Sequence, residues 1–156
     1  MSTPMTNPEA GAPAPEFTLP TGSGETISLK DFRGKKVVLY FYPKDDTSGC
    51  TKEACSFNEN LGRLKKKGAV VLGVSADSPL SHGKFAVKYG LSFPLLSDEE
   101  KTVVKAYGVW KQKSMYGRKY MGIERTTFII DERGVIARKF EKVKVEGHTD
   151  EILAAL

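Results

Sequence analysis

The chain has 156 residues, of which 40% are hydrophobic and 28% charged, with a formal net charge of +5. That length suffices for one core, and the composition excludes disordered and fibrous classes. Two cysteines are too few for a disulfide framework, and no apolar run approaches the ~18 residues of a membrane span.

Basic residues are spread over 65–67, 111–119 and 138–144 with no groove-reading motif, so a solvated surface is favoured over nucleic-acid binding. The two histidines, His82 and His148, are far apart, and C-x4-C is not a zinc-knuckle spacing. Neither a metal nor another cofactor is expected. No basic residue precedes Lys30 and no apolar leader is present, so a cytoplasmic protein is expected.

In chain order, residues 1–14 read as a flexible lead-in rich in Pro and Ala, before a single domain over 15–156. Runs at 17–19 and 26–29 flank Thr21-Gly22-Ser23-Gly24 and predict a short β-hairpin. Residues 37–42 form an apolar, aromatic run with the signature of a buried strand. Pro43 and Gly49 mark a turn, and a helical pattern then covers 50–67, closed by Gly68. A second buried strand spans 69–75, followed by a helix capped at Ser78 or Ser81 that ends near Gly90. Residues 93–97 are a short edge-like run, and Asp98 is placed to cap a helix over 99–106. The polar and aromatic span 109–122 shows no clear periodicity and predicts a long connection. Residues 126–130 and 135–140 enclose Asp131-Glu132-Arg133-Gly134, a hairpin signal, and a helix over 150–156 closes the chain. The order of β-hairpin, βαβα, insertion and ββα predicts an α/β fold with a mixed central sheet flanked by helices. That is the thioredoxin-like arrangement.

Both cysteines fall where the strand 37–42 gives way to a helix. A helix start presents unpaired N–H groups and a partial positive charge, which favour a thiolate over a thiol. At about 100° per residue, Cys50, Ala54, Phe57, Leu61 and Leu64 lie within roughly 40° of one direction, the core-facing stripe. Cys55 points about 140° away, toward solvent. In an unbroken helix their Cα atoms are roughly 8.7 Å apart, beyond the ~7 Å limit for a disulfide. A bond between them therefore requires the helix start to unwind. On pattern alone, Cys50 is either an inert buried thiol or a reactive one, and Thr47 is either a helix cap or a catalytic hydroxyl. Arg125 also reads as a surface ion-pair partner, and Glu53 as a first-turn complement to the helix dipole.

The motif Pro43-x-x-x-Thr47-x-x-Cys50 resembles the active-site signature of the peroxiredoxins. Gly49-Cys50-Thr51-Lys52-Glu53-Ala54-Cys55 resembles the PrxQ subgroup, also called bacterioferritin comigratory protein. The likeness continues through Val109-Trp110, Tyr116-Gly117, Met121-Gly122-Ile123 and Arg125-Thr126-Thr127-Phe128-Ile129-Ile130-Asp131. It implies a thiol peroxidase that reduces hydrogen peroxide and organic hydroperoxides and is recycled by thioredoxin or a similar dithiol. By the same resemblance, Cys50 is the peroxidatic cysteine and Cys55 the resolving cysteine of an intrachain disulfide. Thr47 and Arg125 are the polar partners, Pro43 is the pocket proline, and Glu53 is the acid that orients Arg125. Ser48 departs from the proline found in many members. With both cysteines in one chain, a monomer is expected.

The residue types suit that reaction on chemical grounds. An ordinary thiol, with a pKa of about 8.5, is a few per cent thiolate at neutral pH. Lowering the pKa to about 6 gains only about thirtyfold, so larger acceleration must come from donors aimed at the developing charge. Arg125 offers a rigid fork of N–H groups, Thr47 a hydroxyl, and the helix start its amides. A sulfenic acid on Cys50 would condense with Cys55, which prevents further oxidation. A general thiol–disulfide oxidoreductase would carry C-x-x-C, which is missing here. A redox sensor whose helix start melts on oxidation is the third reading.

Overall fold

The computed structural model describes residues 7–156. A short antiparallel hairpin, β1 (Thr18–Pro20) and β2 (Thr26–Ser28), comes first, as expected. The central sheet is built on β3 (Lys36–Phe41), an apolar strand buried on both faces. It pairs in parallel with β4 (Ala69–Ser75) and antiparallel with β8 (Thr126–Ile130). The edges are β5 (Leu95–Ser97), parallel to β4, and β9 (Ile136–Phe140), antiparallel to β8, which gives the order β5-β4-β3-β8-β9. Strands this apolar on both faces need cover on both sides.

Alternate residues of each strand sort into two cores. On one face Val37, Leu39 and Phe41 pack with Leu72, Phe128 and Leu19. Val103 and Val104 of α4 (Thr102–Ala106) cover that face. On the other face Val38, Tyr40, Val71 and Ile129 meet Cys50, Ala54 and Phe57 of α1 (Ser48–Glu59) and Leu64 of α2 (Leu61–Lys66). Phe85 of α3 (Pro79–Tyr89) and Ile152 of α5 (His148–Ala155) complete it. Gly73 leaves room for Tyr40, because a Cβ there would stand 2.9 Å from the Tyr40 hydroxyl and from Leu95 Cδ2. The expected thioredoxin-like arrangement is present.

Several local expectations change. The helix predicted over 50–67 is interrupted at Asn60, whose φ of −106° and ψ of 10° leave helical geometry. The Asn60 side chain donates to the Ser56 carbonyl at 2.8 Å, a local bond that competes with the helical ladder. The helix predicted from 99 begins at Thr102, because Lys101 is in a left-handed conformation and the Asp98 carboxylate accepts from the Val104 N–H at 2.8 Å.

The span 109–122 is not a connection. It forms an antiparallel hairpin, β6 (Trp110–Met115) and β7 (Arg118–Ile123). Tyr116 and Gly117, at φ 51° and 77°, make its two-residue turn. Only its base is packed, where Ile123 enters the core and Trp110 lies against it, so the rest carries no alternation to read. Of the lead-in, residues 11–14 are bonded to the β8–β9 region: Gly11 and Ala14 N–H groups donate to the Ile136 and Gly134 carbonyls, and Ile136 N–H to Ala12. Residues 1–6 lie outside the described residues.

Candidate active site

The site is assembled where β3 ends, because α1 starts there and β8 begins beside it, with Phe41 opposite Thr126. Thr47 occupies the N-cap position of α1 and Cys50 is its third residue. The first intrahelical bond runs from the Thr51 N–H to the Thr47 carbonyl at 2.8 Å, so the amides of 48–50 lead the helix without partners in it. Cys50 is 1% exposed and faces the core, as its helix phase predicts. Cys55, on the same helix, is partly exposed, and both thiols are free. Partial burial, with the Glu59 charge beside it, raises the Cys55 thiol above its usual value.

Arg125 immediately precedes β8, which sets its guanidinium over the first turn of α1. One nitrogen, Nη2, donates to Cys50 Sγ at 3.3 Å, and the other, Nη1, donates to Glu53 Oε1 at 2.6 Å. Burial works against the charge of Arg125, but Glu53 and Cys50 outweigh it and keep the guanidinium firmly protonated. Burial also pushes the Glu53 carboxyl up to about 7, more than the Arg125 interaction pulls it down. Gly49 makes space for the fork: a Cβ there would lie 3.2 Å from Arg125 Nη2. Among the described residues, the buried side-chain oxygens without a hydrogen-bond partner are Tyr40 Oη and Glu53 Oε2. Burial first, then the charges of Glu53 and Cys50, hold Tyr40 as a neutral phenol.

Thr47 is exposed, and its side chain makes no helix cap. Its hydroxyl instead donates to the Lys44 carbonyl at 2.9 Å, which leaves its lone pairs to accept from an incoming O–H. Pro43 lies exposed on the rim. Of the residues named from the sequence, the structure brings Cys50, Glu53 and Arg125 into contact; Thr47 bonds Lys44 instead, Pro43 is exposed, and Cys55 lies further along α1, partly exposed.

Two features were missed. Lys113 of β6 is partly buried beside Gly122, and its ammonium is lowered by that burial and by Arg125, with Cys50 pulling the other way. By sequence it belongs to the basic run 111–119, which reads as solvated surface. The second is the cluster of Asp45, Asp77 and His82, whose ligand-type atoms lie within 4.8 Å of one another. It is the one metal-like grouping among the described residues, but its atoms are taken up by hydrogen bonds. Tyr42, Ser81 and His82 hold Asp45, while Ser75 and the Asp45 N–H hold Asp77. Only the Asp45-Asp46 pair in a strand-to-helix loop hinted at it.

Residues 10–139 match the AhpC/TSA family. The chain is 57% identical over 148 residues to a putative peroxiredoxin bcp of Coxiella burnetii, covering 95% of this chain and 98% of that protein. It is 48% identical to the peroxiredoxin Bcp of Bacillus subtilis, covering 95% and 94%. Among solved structures, a PrxQ variant of Xylella fastidiosa superposes with a TM-score of 0.91 at 38% identity, covering 96% and 95%. The bacterioferritin comigratory protein of Xanthomonas campestris, described for its alkyl peroxide reduction activity, superposes with a TM-score of 0.87 at 41% identity, covering 97% and 96%. With these relatives and a cysteine held by an arginine at a helix start, the chain belongs to the AhpC/TSA family and, within it, to the Bcp/PrxQ peroxiredoxins, which are peroxidases.

Proposed function

We propose that this chain is a single-domain, monomeric two-cysteine peroxidase that uses no cofactor. The observation that carries the assignment of residues is the contact of Arg125 with Cys50 Sγ, at the start of a helix that bears a second free thiol. The Cys50 thiolate attacks one peroxide oxygen, the O–O bond breaks, and the departing hydroxide or alkoxide takes a proton. Arg125 and the leading amides of α1 face the developing charge, while Thr47 accepts the substrate's O–H and so orients it. The sulfenic acid then condenses with the Cys55 thiol, releasing water and forming an intrachain disulfide. That bond requires the first turns of α1 to unwind, since the helix holds the two sulfurs apart. A thioredoxin-type dithiol attacks Cys55, the more accessible sulfur, and returns both thiols.

Hydrogen peroxide and alkyl hydroperoxides are the substrates to compare, the second because the Xanthomonas campestris relative is described as reducing them. The test is steady-state peroxide consumption with thioredoxin and its reductase. Cys50→Ser is expected to abolish it. Cys55→Ser should keep one turnover and lose cycling. Mass spectrometry of the oxidised protein should show the Cys50–Cys55 bond within one chain. Turnover surviving in Cys50→Ser overturns the assignment.

A further inference from the structure

The loop leading to Cys50 is gripped by buried polar groups for which the peroxidase chemistry itself has no use. Asp45, at the middle of the loop, accepts from the Tyr42 hydroxyl at 2.5 Å on Oδ1 and from the Ser81 hydroxyl at 2.8 Å on Oδ2. His82 Nδ1 lies 2.7 Å from the same Oδ2 and 3.4 Å from the Tyr42 hydroxyl, and Nε2 lies 2.9 Å from the Leu96 carbonyl. The Asp45 N–H donates to Asp77 Oδ2 at 2.8 Å, and Ser75 donates to the same oxygen at 2.6 Å. The His82 side chain is wholly buried and that of Asp45 is 4% exposed.

A carbonyl only accepts, so Nε2 donates to Leu96, and Nδ1 and Asp45 Oδ2 share a hydrogen bond at 2.7 Å. Burial alone would raise the Asp45 carboxyl, but the bonds from His82, Tyr42 and Ser81 outweigh it and hold it below the usual carboxylate range. A buried polar pair of this kind is weak ground for stability, because desolvation offsets the attraction. What it does hold is geometry. It joins the loop to α3 through Ser81 and His82 and to β5 through Leu96. The next residue, Asp46, sits at φ 57°, unusual for a residue with a side chain. It is tied to the same helix by Lys88 at 2.8 Å and Tyr89 at 2.7 Å. Thr47 and the first turn of α1 follow directly.

We propose that Asp45 and His82 are positioning residues for peroxide attack, clamping the loop so that Thr47 and the leading amides of α1 are aimed at the reacting sulfur. This rests on the two-cysteine reading above, and its test separates the two chemical steps. Stopped-flow oxidation by hydrogen peroxide in a Cys55→Ser background reads attack on Cys50 alone. Rapid acid quench of the chain with both cysteines, at peroxide concentrations high enough that attack no longer limits, reads formation of the disulfide. A misplacement of about 1 Å can cost about a hundredfold in rate. Accordingly, His82→Ala is expected to slow the first step by about tenfold or more at temperatures where circular dichroism shows it folded. Disulfide formation should stay within about threefold of the parent, and His82→Gln, which keeps a donor toward Asp45, should recover part of the loss. If His82→Ala does not fold, Asp45→Asn keeps the shape of the site and should show the same split. A parent-like first step in the folded variants, or an equal loss in both steps, overturns the proposal. Failure of the two-cysteine reading looks different, since the parent itself would then form no Cys50–Cys55 bond while its first step could still be measured.

Discussion

Replacing Glu53 with Gln tests the electrostatics of the site through stability. The Glu53 side chain is 2% exposed, and its carboxyl rises from 4.5 to about 7 because burial outweighs Arg125. An acid whose pKa is higher in the folded than in the unfolded chain binds its proton more tightly when folded. Its contribution to stability is therefore greatest below about pH 4.5, declines as pH rises to about 7, and is constant beyond. Two and a half pH units at about 1.4 kcal/mol each amount to about 3 kcal/mol. Glu53→Gln has no such proton, so its stability relative to the parent should climb by about 3 kcal/mol between about pH 4.5 and pH 8. This rise is superposed on a constant loss from facing Arg125 with an amide. Urea denaturation of the reduced proteins at several pH values gives the difference directly. A difference that is flat with pH to within about 0.5 kcal/mol, or that falls as pH rises, would refute the reasoning.

Other perturbations read the geometry. Arg125→Lys keeps the charge but loses the fork that spans Cys50 and Glu53; attack on Cys50 should slow by about a hundredfold in stopped-flow, and a loss under about tenfold would show the fork to be dispensable. Gly49→Ala removes a helical glycine, for a gain of up to about 1 kcal/mol, yet crowds Arg125 Nη2 at 3.2 Å. It should raise the melting temperature and slow attack several-fold, so parent-like kinetics would contradict the crowding. Hydrogen exchange should show, on oxidation, loss of amide protection over 48–55 but not at Phe57–Glu59. Phe57 is fully buried, Ser56 bonds Thr149 at 2.6 Å, and Asn58 bonds Gly90 and Ser92 at 3.0 and 2.7 Å. Exchange spreading through Glu59 would place the hinge further along α1.

Much of the site was readable because it follows from local periodicity. An apolar strand, a turn and an amphipathic stripe put Cys50 inward and Cys55 outward, and both orientations hold. The role of Arg125, by contrast, came from resemblance. Its partner Cys50 is 75 residues away, and no pattern within one element marks such a contact. Thr47 stands at the N-cap position of α1, but its hydroxyl points back to Lys44, which a sequence reading has no means to show.

The hairpin β6–β7 escaped notice because alternation is written into a strand only where one face must be buried, and beyond its base at Trp110 and Ile123 none of its residues is buried. The Asp45–His82 pair was invisible for a related reason. Each residue alone reads as an ordinary polar group, and 37 positions separate them until α3 packs beside the loop. Burial of apolar faces is a property of each element and is therefore spelled out along the chain. Which polar side chains meet is decided only when those elements pack, because a buried donor must then find whichever acceptor the fold has carried within reach.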